Sequence, residues 1–230
     1  MIKIGVPSKG RLMQETFDWF SARGLTMRRT GNDREYAGAV EGVAGVSVVL
    51  LSAGEIPREL AAGRVHLGVT GSDLVRESLG DEEVLEIQRL GFGQADLVIA
   101  VPAVWIDVET VDDLDAAAAG FRSAHGFRLR IATKYHRLVR EFLKANGVAD
   151  YQLVDSLGAT EGTVKNGSAE AIADITSSGE TLRANHLRVL SDGLIHQSEA
   201  VLWKSRVAPL ADGDAVVLDQ LARRLGVVVR

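Results

Sequence analysis

The 230-residue sequence contains no cysteine, which excludes disulfide bonds, thiolate metal sites and a cysteine nucleophile. It has no apolar run near the roughly 18 residues that cross a bilayer, and its first residues include too few consecutive apolar side chains for a signal peptide. Its 31 acidic side chains outnumber 26 basic ones, which argues against a surface that coats nucleic acid. The five histidines lack metal-ligand spacing. We therefore expect a globular cytoplasmic protein with no metal site of its own and no membrane contact.

Short runs of β-branched residues alternate with segments of helical period along the chain. This pattern is typical of an α/β protein with mainly parallel strands. The predicted strands are Ile2–Val6, Val46–Leu51, Leu67–Thr70, Asp96–Val101, Leu129–Thr133, Tyr151–Val154 and Ala171–Ile175. The predicted helices are Leu12–Arg23, Glu55–Ala62, Tyr135–Asn146 and Asp214–Leu225. A glycine follows each of the first three helices and suits a helix C-cap, and the last helix has an apolar face that is expected to dock on a sheet.

The chain shows no internal repeat, low-complexity tract or proline-rich linker. Any division into lobes must therefore be made by strands that cross between them. The strand Asp96–Val101, which Pro102 follows, is a candidate first crossing, and a return is expected after Leu182. We predict lobe I over residues 1–95 and 189–230 and lobe II over residues 96–188, with a cleft between them.

The segment Asp174–Leu182, with the sequence DITSSGETL, has the composition of a phosphate-binding loop. It follows an apolar strand and leads into a predicted helix near Glu180. Gly179 allows a tight turn, backbone N–H groups at a helix start point at an anion, and Asp174 could hold the two hydroxyls of a ribose. Further hydroxyl donors are Thr176, Ser177, Ser178 and Thr181. The same residues also suit a capped strand-to-helix turn, and composition alone leaves both interpretations open.

This loop resembles the donor-binding loop of phosphoribosyltransferases. Five other segments extend the resemblance to the short form of ATP phosphoribosyltransferase, the first enzyme of histidine biosynthesis. These segments are PSKGRL (7–12), GVTGSD (68–73), LGFG (90–93), RIATKY (130–135) and GATEG (158–162). The resemblance covers most of the chain. It implies a two-lobed α/β architecture like that of the type II periplasmic binding proteins.

The resemblance also implies roles for individual residues. The phosphoribosyl donor, phosphoribosyl pyrophosphate (PRPP), would be bound by Glu161, Asp174, Thr176, Ser177, Ser178, Gly179, Glu180 and Thr181. The triphosphate of ATP and the departing pyrophosphate would be bound by Lys9, Gly10, Arg11 and Arg34, of which the three cations would be catalytic. Asp73 is expected first to cap the next helix, and a contact with the nucleotide is the second interpretation. Arg130 and Lys134 are equally consistent with a cleft-facing role and with a solvated turn.

The implied reaction is the attack of N1 of ATP on carbon 1 of PRPP, which gives phosphoribosyl-ATP and pyrophosphate. Mg²⁺ would bridge the pyrophosphate oxygens of the substrate. The length leaves no room for the histidine-binding domain of the long forms, so the resemblance implies a separate regulatory subunit similar to histidyl-tRNA synthetase, in a hetero-octamer. Two alternatives remain at this point, namely a two-lobed solute-binding module and a salvage phosphoribosyltransferase. The salvage enzymes usually carry two adjacent acids before the loop, whereas Ala173 precedes Asp174 here.

Overall fold

The computed structural model describes residues 1–29, 37–156 and 158–229. The chain divides into two compact units, which are unit 1 (Met1–Gln94 with Glu199–Arg230) and unit 2 (Ala95–Ser198). In chain order the elements are β1 (Ile2–Pro7), α1 (Gly10–Ser21), β2 (Thr26–Arg29), β3 (Ala37–Glu41), β4 (Val46–Leu51), α2 (Ile56–Ala61), β5 (Leu67–Gly71), α3 (Ser72–Ser78), β6 (Val84–Arg89), β7 (Ala95–Pro102), α4 (Val111–His125), β8 (Leu129–Thr133), α5 (His136–Ala145), β9 (Tyr151–Asp155), α6 (Gly162–Lys165), β10 (Ala171–Thr176), α7 (Glu180–Ala184), β11 (Leu187–Ser198), β12 (Ala200–Ser205) and α8 (Asp214–Leu225).

The sheet of unit 1 has the strand order β2-β3-β4-β1-β5-β12-β6. Its central strand β1 runs parallel to both β4 and β5, whereas β12 is antiparallel to β5 and β6. Because β1, β4 and β5 are parallel, their carboxyl ends share one edge of the sheet. The turns after Pro7, Leu51 and Gly71 therefore lie at that edge.

Helices cover both faces of this sheet. The predicted docking helix α8 has the bounds expected from the sequence, and its Leu218 and Leu221 join Phe20 of α1 in the core cluster that also contains Ile2 and Ile4 of β1. A second cluster joins residues of α2 and α3 with strand residues, and it contains Ile56, Leu60, Val65, Val75, Val201 and Trp203. The two clusters fix the turns that follow the parallel strands, because the helices that begin at those turns are anchored in the core.

The sheet of unit 2 has the strand order β11-β7-β10-β8-β9. Here β8 is the centre of a parallel group with β9 and β10, while β7 is antiparallel to β10 and β11. The chain passes from β8 to β9 on one side and then returns to β10 on the other side. The carboxyl ends of β8 and β10 therefore flank a topological switch point, which is where ligands bind in open α/β sheets.

Two expectations from the sequence change at this level. Antiparallel pairs outnumber parallel pairs among the described strands, so the sheets are mixed rather than mainly parallel. The chain re-enters unit 1 at Glu199, later than the residue 189 that was expected. The reason is that β11 pairs with β7 as far as Ser198 and so stays in the sheet of unit 2.

The glycines predicted to stop three helices adopt the left-handed backbone that such a stop requires, with φ of 74° at Gly24, 67° at Gly63 and 76° at Gly147. Within residues 1–29, 37–156 and 158–229, none of the helices combines the length and the apolar character that crossing a membrane requires.

Candidate functional site

The segment predicted to bind phosphate begins with the last three residues of β10 and continues into α7. Ala173 is the last residue of β10 that pairs with β8, so Asp174 lies just beyond the parallel pairing. The buried side chains of Ile172 and Leu182 belong to one core cluster and anchor the two ends of the segment. Between them the chain turns at Gly179, where φ is 70°, and α7 begins at Glu180, as the sequence predicts.

Hydrogen bonds within the loop fix its shape. The Gly179 amide donates to Oγ1 of Thr176 at 2.9 Å, and the Ile175 amide donates to Oδ1 of Asp174 at 2.8 Å. Nη2 of Arg183 donates to the Ser178 carbonyl at 3.0 Å from one turn further along the chain. Because a hydroxyl that accepts one bond keeps its own hydrogen to donate, Thr176 retains a donor for a ligand.

The loop forms one wall of a pocket of about 350 Å³ that lies within unit 2, which we call the Asp174 pocket. Its lining consists of Glu161, Asp174, Ile175, Thr176, Ser177, Ser178, Thr181 and Leu182. The pocket thus brings two carboxylates and four hydroxyls together. Of the residues predicted to bind PRPP, Gly179 shapes the turn behind the lining, while Glu180 is exposed and is not among the lining residues.

Glu161 reaches this pocket through the turn between β9 and α6. Ser156 donates its hydroxyl to Oγ1 of Thr160 at 2.8 Å, and both side chains are buried. Nζ of Lys134, which follows β8, donates to the Gly158 carbonyl at 2.8 Å. Lys134 therefore supports the turn that carries Glu161, and sequence reasoning could not choose this role because the contact joins two separate loops.

Arg130 lies at the amino-terminal half of β8. Its Nε and Nη2 contact the carboxylate of Glu170 at 3.1 and 2.5 Å, and Nη2 also donates to the Gly167 carbonyl at 2.8 Å. The hydrogen bonds that the Arg130 guanidinium donates to the Glu170 carboxylate are the main cause of the raised pKa of Arg130. Arg130 is thus a structural ion-pair residue, a role that differs from both of the roles that the sequence allowed.

The N-terminal turn places two cations after β1. Lys9 has an extended backbone and precedes α1, and the side chains of Lys9 and Arg11 are exposed at the edge where the parallel strands of unit 1 end. Nε of Arg11 lies 3.7 Å from the Glu15 carboxylate, with 70 % of the Arg11 side chain exposed. Contact at this exposure is weak, so Arg11 is available to a ligand. Gly10, the first residue of α1, is also exposed.

Asp73 and Arg34 are the two remaining residues that the sequence predicted to bind ATP. Asp73 is buried at the start of α3, but the N-cap position belongs to Gly71, and no side chain caps this helix. The capping interpretation of Asp73 is therefore wrong, because the helix begins at Ser72 and places Asp73 inside its first turn. Arg34 lies outside the described residues.

No group of three or more histidine, aspartate or glutamate side chains within the described residues is arranged to hold a metal ion. The carboxylates of Glu161 and Asp174 are the acidic groups that the Asp174 pocket presents to a ligand.

Solved structures identify the fold. An ATP phosphoribosyl transferase (HisG:HisZ) complex from Thermotoga maritima matches with a TM-score of 0.71 at 19 % identity, over 98 % of this chain and 96 % of that chain. A probable amino-acid ABC transporter extracellular-binding protein from Bacillus subtilis matches with a TM-score of 0.54 at 10 % identity, over 98 % and 90 % of the two chains. The chain is therefore an α/β protein of the type II periplasmic-binding-protein-like class, with a carboxylate- and hydroxyl-lined pocket at a topological switch point.

Comparison with related sequences identifies the family. The family model of ATP phosphoribosyltransferase (HisG) matches residues 52–226. The ATP phosphoribosyltransferase of Cereibacter sphaeroides is 75 % identical over 227 residues, which cover 98 % of this chain and 96 % of that protein. The enzyme of the same name from Sinorhizobium medicae is 52 % identical over 210 residues, which cover 90 % and 91 %.

The chain belongs to the ATP phosphoribosyltransferase family. It is a pentosyltransferase that transfers the phosphoribosyl group of PRPP to N1 of ATP, giving phosphoribosyl-ATP and pyrophosphate in the first step of histidine biosynthesis. Family membership excludes both the non-catalytic solute-binding module and the salvage phosphoribosyltransferase.

Proposed function

We propose that the Asp174 pocket binds PRPP. The observation that carries this proposal is the convergence of Asp174, Glu161 and the loop hydroxyls on one pocket at the switch point of unit 2. A carboxylate is an acceptor that suits ribose hydroxyls, while the hydroxyls of Thr176, Ser177, Ser178 and Thr181 are donors that suit a phosphate. The left-handed Gly179 allows the loop backbone to approach the phosphate closely.

We propose that residues of unit 1 bind ATP. Lys9 and Arg11 are exposed cations beyond the carboxyl end of β1, and Gly10 between them leaves the backbone accessible. These residues and Arg34 neutralise the triphosphate of ATP and the departing pyrophosphate, and Asp73 contacts the nucleotide. In this assignment unit 1 (Met1–Gln94 with Glu199–Arg230) serves ATP, and unit 2 (Ala95–Ser198) serves the phosphoribosyl donor.

The reaction requires alignment of the two substrates and stabilisation of the charge on the leaving pyrophosphate, and it does not require a protein nucleophile. N1 of the adenine ring forms a bond to carbon 1 of the ribose as the bond from that carbon to the pyrophosphate oxygen breaks. The electron pair of the broken bond leaves with pyrophosphate, so the cations Lys9, Arg11 and Arg34 stabilise charge that grows in the transition state. Holding the two polyanions in line supplies the remaining rate enhancement.

We propose that Mg²⁺ enters with PRPP as part of the substrate. The ion would neutralise charge on the pyrophosphate group and, because Mg²⁺ usually keeps several waters, would need few protein carboxylates. Asp174 and Glu161 offer oxygen atoms of the kind that this ion accepts.

We further propose that the chain works in the cytoplasm with a regulatory subunit that resembles histidyl-tRNA synthetase, in a hetero-octamer. The fold match to a complex described as HisG:HisZ supports this proposal. Sedimentation velocity of the chain with and without that subunit tests the assembly, and failure of the two to co-sediment contradicts it.

The assignment of the Asp174 pocket is tested with the isosteric change Asp174→Asn. We expect PRPP binding, measured by calorimetry with Mg²⁺, to weaken by about 10- to 100-fold, because a charge-assisted hydrogen bond is worth about 1.5 to 3 kcal/mol. ATP binding should change little. The matched control is Asp112→Asn on the exposed surface of α4, which should leave both affinities unchanged. Equal weakening of PRPP and ATP by Asp174→Asn would mean that the donor site lies elsewhere.

A further inference from the structure

Helix α5 carries a row of basic side chains along the edge of the unit 2 sheet. His136, Arg140 and Lys144 follow one another at intervals of four residues, so they lie on one side of the helix, about 6 Å apart along its axis. Val139 and Leu143 of α5 are buried in the core, and the basic row lies next to this buried side. Arg140 and Lys144 are exposed, whereas His136 is half-buried.

The basic row lines a pocket of about 480 Å³, which we call the α5–β9 pocket. Arg128, from the segment before β8, adds a further cation, and Tyr151 and Leu153 of β9 supply half-buried apolar surface. The remaining lining residues are Gly147, Val148 and Ala149. No aspartate or glutamate is among these lining residues, although the whole chain has a net charge of −5.

In the part of the chain that the structure describes, most basic side chains around the α5–β9 pocket have a carboxylate partner, but three that line the pocket do not. Arg122 pairs with Asp150, Arg130 with Glu170 and Arg137 with Glu141. In the same part of unit 2, His136 binds Asp155 through Nε2 at 2.7 Å. By contrast, within the described residues Arg128, Arg140 and Lys144 form no ion pair.

Three cations without a carboxylate partner repel one another, and an anion placed between them removes that repulsion. The volume of the pocket falls in the range of small-molecule sites. Arginine and lysine side chains on several elements suit a group with many acceptor oxygens, and an arginine fork suits phosphate in particular. The length of the row favours a ligand with two adjacent phosphates over a single phosphate ion.

We propose that the α5–β9 pocket binds a small molecule that carries two adjacent phosphate groups. Arg128, Arg140 and Lys144 contact the phosphates, and Tyr151 and Leu153 contact the less polar part of the ligand. This site is separate from the Asp174 pocket, because the two linings have no residue in common. The ligand is a diphosphate or a nucleoside diphosphate, which share the same charged group.

The test uses amide NMR spectra of the full-length chain titrated with inorganic pyrophosphate in about 0.15 M salt, where the screening length is about 8 Å. Gly147 and Ala149 report on the α5–β9 pocket, and Ser177 and Gly179 report on the Asp174 pocket. We expect saturable shifts at Gly147 and Ala149 with their own midpoint. Shifts confined to the other regions of the chain, or a linear response without saturation, overturn the proposal.

The matched variants are Arg140→Glu and Arg137→Glu, which change the net charge equally and lie on the same helix. We expect Arg140→Glu to weaken pyrophosphate binding at the Gly147 reporter by about tenfold or more, and Arg137→Glu by less than about twofold. Lys144→Glu provides a second test if Arg140→Glu disturbs the spectrum of the folded chain. Equal effects of the substitutions at residues 137 and 140 would show general charge screening and overturn the site.

A third titration distinguishes the two sources of the diphosphate group. ADP is used in place of pyrophosphate, with wild type and Tyr151→Ala. Tighter binding of ADP that Tyr151→Ala abolishes supports a nucleoside diphosphate, and equal binding of the two ligands supports a simple diphosphate. Failure of both ligands to shift the Gly147 amide excludes the site.

Discussion

Gly179 and Arg183 fit together at the turn between β10 and α7. A Cβ atom at Gly179 would lie 2.9 Å from Nη1 of Arg183, whose Nη2 donates to the Ser178 carbonyl at 3.0 Å. The Gly179 amide also donates to Thr176. The loop that lines the Asp174 pocket is thus shaped by a left-handed glycine and braced by an arginine one turn away. Because Gly179 has φ of 70°, both the backbone and the adjacent guanidinium disfavour any side chain at this position.

We predict that Gly179→Ala weakens PRPP binding by about tenfold, since a non-glycine residue in this conformation carries about 1 to 3 kcal/mol of strain that loop rearrangement relieves. The control is Gly126→Ala at the end of α4, where φ is 77° and no atom lies within 4 Å of the added Cβ. Both variants should lose about 1 kcal/mol of unfolding free energy in urea. Only Gly179→Ala should lower the PRPP affinity measured by calorimetry, and a similar loss in Gly126→Ala would contradict the role of the loop.

The ion pair between Arg130 and Glu170 leads to a prediction about stability. Side-chain exposure is 29 % for Arg130 and 13 % for Glu170, so removal of the arginine leaves a mostly buried carboxylate without its partner. We expect Arg130→Met to lower the unfolding free energy by about 2 kcal/mol, because the Glu170 carboxylate would remain desolvated without a cation to compensate its charge. Arg137→Met removes an exposed pair with Glu141 and should cost less than about 0.5 kcal/mol. Equal losses in urea unfolding would mean that the Arg130 pair is no more than a surface contact.

The start of α4 gives a prediction about pH. Oδ2 of Asp113 accepts from the hydroxyl and the amide of Thr110 at 2.8 and 2.9 Å, and these bonds hold the pKa of Asp113 below its ordinary value. A carboxyl group whose pKa is lower in the folded state stabilises the fold at pH above its unfolded value of about 3.9, and this contribution is lost as pH falls through the folded pKa.

We therefore expect Asp113→Ala to lower the melting temperature at pH 7, and the difference from wild type to shrink as the pH falls below about 4. The neighbouring change Asp112→Ala, at an exposed residue of the same helical turn, should have a smaller effect. Thermal unfolding followed by circular dichroism over this pH range measures both. A wild-type difference that stays constant down to low pH would show that the charge of Asp113 does not contribute.

The sequence predicted those elements whose apolar pattern is strong. The bounds of α8 agree because Leu218, Leu221 and Leu225 form a clear stripe. By contrast, α4 was absent from the predicted elements, since its run of alanines buries only Val111, Leu114 and Ala118. Its capping box of Thr110 and Asp113 was the signal that could have found it.

Strands that depend on distant partners were harder to predict. β11 and β12 were absent from the predicted strands, and β11 has irregular register between Val189 and Leu194 and again near His196. Such a strand does not show the regular alternation that identifies a half-buried strand. The boundary of unit 2 was misplaced for the same reason.

The strand-to-helix turn at Gly179 was predictable because the residues that form it are consecutive and their chemistry is local. Contacts between separate segments were not. The support that Lys134 gives to Gly158 needs the carboxyl ends of β8 and β9 side by side, and the brace from Arg183 could have been suspected only from its spacing of four residues from Gly179.

The two glutamates assigned to PRPP differ in their position relative to the Asp174 pocket. Glu161 is half-buried in the lining, whereas Glu180 is exposed in the first turn of α7 and lies outside the lining residues. A glutamate in the first turn stabilises its helix through the helix dipole, which gives Glu180 a structural role that needs no ligand. The arrangement predicts that the two side chains contribute unequally to binding.

We expect Glu161→Gln to weaken PRPP binding by about tenfold, because a carboxylate that accepts ribose hydroxyls in a half-buried pocket forms bonds about twice as strong as a neutral amide does. Glu180→Gln should change the affinity by less than about twofold, since its exposed charge is screened by water and salt. Calorimetric titration of Mg²⁺-PRPP into both variants measures the difference, and their melting temperatures show whether either change acts through the fold. A larger loss in Glu180→Gln would mean that the loop rearranges on binding, because only a movement of α7 brings this side chain to the ligand.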